Sequence, residues 1–136
     1  MLNRIGLLWS GLIVLAAVGH ACAATLDALQ GAWAMNGTGC ESIFKKTGRG
    51  MEFKDRDSSL NTGLIIKGST ILGPLATCKV AQIRRKGDRL SAALNCSDSI
   101  IYGNLAVSFR ILSPNKFERY APEFPEISVI YNRCNL

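Results

Sequence analysis

The chain lacks any apolar run of the roughly 18 residues that a membrane-spanning helix needs, any sustained heptad, and any self-similar period of about 20 to 50 residues. Helical membrane bundles, coiled coils and solenoids are excluded on those grounds. Histidine is nearly absent, the one copy being His20 near the N-terminus. No C-x-x-C occurs, so a thiolate zinc site has neither its usual spacing nor an imidazole partner. Charge is sparse too. At 19% charged and 48% hydrophobic, the 136 residues are too apolar for a disordered chain and too few for more than one ordinary domain.

What is present begins at the N-terminus. Arg4 precedes an apolar stretch from Ile5 to Val18, and Ala21-Cys22-Ala23 follows as a small-residue cleavage site. The stretch has no polar face of the kind an amphipathic helix shows. Residues 1–23 are therefore expected to be a cleaved, bacterial-style signal peptide, and residues 24–136 a single β domain that is periplasmic or secreted. An alternative makes Cys22 the lipidated N-terminus of a lipoprotein, although Gly19-His20-Ala21 matches the usual lead-in poorly. Either route leaves Cys40, Cys78, Cys96 and Cys134, an even set that suits two disulfides in an oxidising compartment. Cleavage also removes His20, and with it Ser-His-Asp, Cys-His and His-zinc chemistry. No cofactor or metal is expected.

Four cysteines allow three connectivities, and a hairpin chooses among them. Thr77 to Arg85 and Arg89 to Cys96 are strand-like runs around Lys86-Gly87-Asp88. Pairing Arg85 with Arg89 sets Val80 opposite Leu94 and Cys78 opposite Cys96. Facing positions lie ~4.5–5.5 Å apart, within reach of a disulfide. Cys40 is left to Cys134, closing a loop of roughly 95 residues that chain entropy values at about 4–5 kcal/mol. The pairing depends on that turn length, since one residue more or fewer spoils the parity.

Turn signals recur at Thr47-Gly48-Arg49-Gly50, Lys67-Gly68-Ser69 and Ser113-Pro114-Asn115, with short alternating runs between them. In Asn104 to Leu112, for example, Leu105, Val107, Phe109 and Ile111 share one face. Weaker alternation marks Met51 and Phe53, Leu90 to Leu94, and Ile127 to Tyr131. Leu26 to Gln30 suits a single helical turn. The expected fold is all-β: an antiparallel meander of about 8–10 short strands closing into a small barrel, with a β-sandwich as the alternative. A closed barrel sets the last strand beside the first, where a Cys40–Cys134 bond is easily made.

Leu29-Gln30-Gly31-Ala32-Trp33, a turn and then G-x-W opening the first strand, resembles the start of lipocalin-type barrels and of the small bacterial barrel inhibitors of secreted metalloproteases. That resemblance implies a barrel with Trp33 as a structural plug at one end. The chain departs from the inhibitors in having four mature cysteines rather than one disulfide's worth. Only Ala24 to Ala28 precede the turn, too few for the free arm with which those inhibitors work. The chain as a whole resembles small secreted bacterial proteins with a G-x-W start and a Tyr-x-x-Cys end, here Tyr131 to Cys134, a likeness that implies no activity.

Without Arg4, 15 basic residues face 10 acidic ones. Arg84, Arg85, Lys86 and Arg89 gather at one hairpin tip, and Lys45, Lys46 and Arg49 at another. These tips offer a surface to anionic partners, but no aromatic residues interleave them and no nucleic acid is expected. Ala121-Pro122-Glu123-Phe124-Pro125-Glu126 is expected to be a rim loop whose prolines discourage pairing, with Phe124 available to a ligand. The carboxylates open to acid–base work are Asp55, Asp57, Asp98, Glu123 and Glu126. Asp55 to Ser59 lacks the glycine and the later glutamate of a calcium loop. Three functions are carried forward. The first is a non-enzymatic barrel that binds a small apolar or anionic ligand. The second is a protein-facing inhibitor or envelope interaction protein, and the third a carboxylate hydrolase.

Overall fold

The computed structural model describes residues 24–56, 62–98, 100 and 102–136, so the expected signal peptide and Asp57 lie outside the described residues. A 3-10 turn at Asp27–Leu29 leads into β1 (Gly31–Met35). There follow α1 (Cys40–Ile43), β2 (Phe44–Thr47), β3 (Gly50–Phe53), β4 (Gly63–Lys67) and β5 (Thr70–Leu72). The rest is β6 (Thr77–Lys86), β7 (Arg89–Ser97), β8 (Tyr102–Ser113), β9 (Lys116–Ala121) and β10 (Phe124–Cys134). Eight strands form a closed antiparallel barrel in the order β1-β10-β9-β8-β7-β6-β5-β4, and β2 and β3 pair outside it. The barrel closes through β1, whose Ala32 lies opposite Cys134 on one side and Ile65 on the other. Barrel rather than sandwich is thus the architecture, with both expected disulfides, Cys40–Cys134 and Cys78–Cys96.

β7, with one wet face, alternates, whereas β8 buries Ser108 as well as its inward row. Leu90, Ala92 and Leu94 of β7 and Val107 and Phe109 of β8 point inward and are buried, joining Trp33, Leu64, Ile66 and Phe117 in one core. β1 and β4 do not alternate: Ala32 to Ala34 and Gly63 to Ile66 are buried on both faces. The cause is the external hairpin, which lays Phe44 and Phe53, with Ile43 of α1, over Ala32, Ala34 and Ile65 to make a second core that includes Cys134. The hairpin docks so closely that a Cβ at Gly63 would lie 2.8 Å from Phe44 and 3.1 Å from Ile43.

Two expectations need correction. The β6–β7 turn is one residue shorter than its sequence suggests: Lys86 pairs with Arg89 around Gly87-Asp88, and Arg85 faces Leu90. Gly87 takes φ 63°, the positive value that lets a two-residue turn follow the strand twist. The cysteines still meet, because the ladder passes from Gln82–Ala93 to Val80–Leu94 and skips Ala81. That bulge absorbs the missing residue and restores Cys78 to its place opposite Cys96. The second correction concerns the Pro122–Pro125 segment, which is a hairpin rather than a loop. Ala121 pairs with Phe124 across a tight turn, and pairing resumes at Ser128 and Tyr120. Pro125, Glu126 and Ile127 fall in that register shift, where a missing N–H breaks no ladder bond.

Candidate functional site

The strand directions sort the loops between two barrel ends. One end carries the 3-10 turn and the β4–β5, β6–β7 and β8–β9 turns; the other carries the β5–β6, β7–β8 and β9–β10 connections. The first end is sealed. Trp33 is wholly buried there, its indole N–H donating to the Leu29 carbonyl at 2.8 Å and its ring edge-on to Phe117. Arg133 lies over the indole, 4.2 Å from the ring centroid. Its guanidinium donates to the carbonyls of Gln30, Ala28 and Pro114, tying the 3-10 turn to the β8–β9 turn. The Gln30 side chain adds two bonds to the Gly68 backbone. The glycine of G-x-W has a physical reason here: Gly31 sits at φ 118°, and a Cβ would come within 3.0 Å of Arg133.

The other end opens into a cavity of about 230 Å³. Its wall is apolar, made by Leu64, Ile71, Leu94, Val107 and Phe109 from inside the barrel, by the Cys78–Cys96 disulfide, and by Gly73 to Ala76 and Leu105 at the mouth. Arg56 holds the mouth in shape by donating to the carbonyls of Gly73, at 2.9 Å, and Ala76. Two polar groups face the space. Arg119 enters from β9, in phase with the inward-facing Phe117, and Tyr131 enters from β10. The Arg119 guanidinium lies 5.8 Å from the Tyr131 ring centroid. Burial pushes the Tyr131 phenol above its ordinary 10.0, and the charge of Arg119 pulls partly the other way. The ion pairs among the described residues are Arg49–Glu52 and Arg110–Glu118, which leaves Arg119 with no carboxylate partner there.

The binding surface suggested by sequence is split by the fold. Arg84, Arg85, Lys86 and Arg89 are exposed at the β6–β7 tip, on the sealed end. Phe124, 57% exposed, stands on the open rim with Leu75, Tyr102 and Ile127. Of the carboxylates, Asp55, Asp98, Glu123 and Glu126 all lie outside the cavity wall. Neither the cavity nor Arg119 was evident from sequence, yet a signal was present. Counting alternation from the Ser113-Pro114-Asn115 turn sets Arg119 on the same face of β9 as Phe117, a cation on an inward row. Compared with family models, with curated proteins and with solved structures, the chain has no significant match. Two disulfides are the mark of an oxidising location outside the cytoplasm, and a small barrel of this kind is compatible with a non-enzymatic role.

Proposed function

We propose that this protein is a non-enzymatic binding module for a small ligand, exported to the periplasm or beyond after cleavage following Ala23. The supporting observation is the cavity at the open end, which is apolar in wall, fixed in shape by a disulfide and by Arg56, and provided with Arg119 and Tyr131 as polar contacts. Such a combination, a mostly apolar concavity with few polar groups, is the general form of a small-molecule site. Eight strands enclose about enough room for one small ligand once part of the interior is filled by side chains. The filled part is the Trp33 end and the unfilled part the cavity.

The test is a native mass spectrum of protein purified from its own export compartment, repeated after denaturation without reductant. An adduct lost on denaturation is the expected result, on a chain beginning at Ala24 and lighter by the hydrogens of two disulfides. A bare chain would overturn the carrier role. It would turn attention to a protein-facing role, which the exposed Tyr102, Phe124 and Ile127 on one rim favour as a second reading.

A further inference from the structure

The cavity contains a charge that its own wall does not neutralise. Arg119 is half-buried, and an arginine set partly against apolar surroundings is a ready partner for a group of opposite sign with matching geometry. Among the described residues Arg119 has the Tyr131 ring and no carboxylate. The Tyr131 ring supplies a cation–π contact, which leaves the planar fork of N–H donors open to a two-oxygen acceptor. The wall around it, with Ile71, Leu94 and Val107, carries no polar side chain at those positions.

Resting on the carrier function proposed above, we infer that the ligand is an amphipathic anion: one carboxylate-like group paired with Arg119 and a short apolar body along the Ile71, Leu94 and Val107 wall. Size limits the body. The cavity measures about 230 Å³. Drug-sized sites start near ~300 Å³, so a long acyl chain is too large and a medium-chain acid fits. Neutral apolar molecules of the same size gain the wall but leave Arg119 unpaired. The site therefore discriminates by charge more than by shape.

Octanoate and 1-octanol share a chain and differ in the charged group, so calorimetric titration of both into the purified protein separates the two contributions. Octanoate is expected to bind saturably and to lose at least about tenfold in affinity in Arg119→Met. 1-Octanol is expected to bind more weakly and to be indifferent to that change. Arg119→Lys, which keeps the charge but not the fork, should fall between wild type and Arg119→Met, and it serves if the methionine variant fails to fold. Leu105→Trp, at the half-exposed mouth, should weaken both compounds. Octanoate unable to bind wild type, or bound equally by wild type and the Arg119 variants, overturns the anion inference and reduces Arg119 to a partner for the Tyr131 ring. If binding also survives Leu105→Trp unchanged, the cavity is not the site and the carrier function falls with it.

Discussion

Burial against Phe117, whose ring stacks on it at 5.1 Å, makes the Tyr131 phenol harder to ionise than in the unfolded chain. The sign of the consequence follows from proton linkage. Below pH 10 the folded and unfolded chains both carry a neutral phenol; above it the unfolded chain releases its proton first, so stability falls as pH rises toward the raised folded value. In urea unfolding, wild type should lose more stability than Tyr131→Phe between about pH 8 and about pH 10.5. Equal losses would contradict the burial of that hydroxyl. The cysteines were the most legible residues, because evenness and an oxidising destination restrict what four thiols can do. Arg119 was the least legible. Its meaning comes from the space it faces, and that space exists only after eight strands have closed.

Among the elements, β7 declared itself in the sequence because one of its faces is wet: Leu90, Ala92 and Leu94 are buried, and Ser91 and Ala93 between them are exposed. β4 did not, since the β2–β3 hairpin covers its outer face and Leu64, Ile65 and Ile66 are all buried. The β6–β7 ladder shows a different limit. Hairpin parity gave the right disulfide with the wrong turn, because a bulge at Ala81 has no compositional mark and compensates the shorter turn by one residue. Docking of the β2–β3 hairpin is open to direct test at Gly63, where an added Cβ meets the fully buried Phe44 ring at 2.8 Å. Gly63→Ala should cost about 1–3 kcal/mol in chemical denaturation, as overpacking of a closed core does. A change under about 0.5 kcal/mol, typical of surface positions, would mean that the hairpin rests loosely on the barrel.

At the scale of the molecule, the Cys40–Cys134 bond spans a sequence separation of 94 and fastens α1 to the end of β10. Cys134→Ser should cost about 2–5 kcal/mol and lower the yield of secreted protein. Thermal unfolding unchanged from wild type would show that the bond contributes nothing to the folded barrel. Closed architecture and strand order were readable in outline from turn spacing and from the meeting of first and last cysteines. The asymmetry between a sealed and an open end was not, because Arg133, Gln30 and Trp33 come together only across turns far apart in the chain. β1 has its two strand partners in β4 and in the last residues of β10. The barrel therefore cannot close until residues 131–134 are present to pair with β1. Without that pairing β1 and β10 would be two open edges of one sheet, and their docking removes both together.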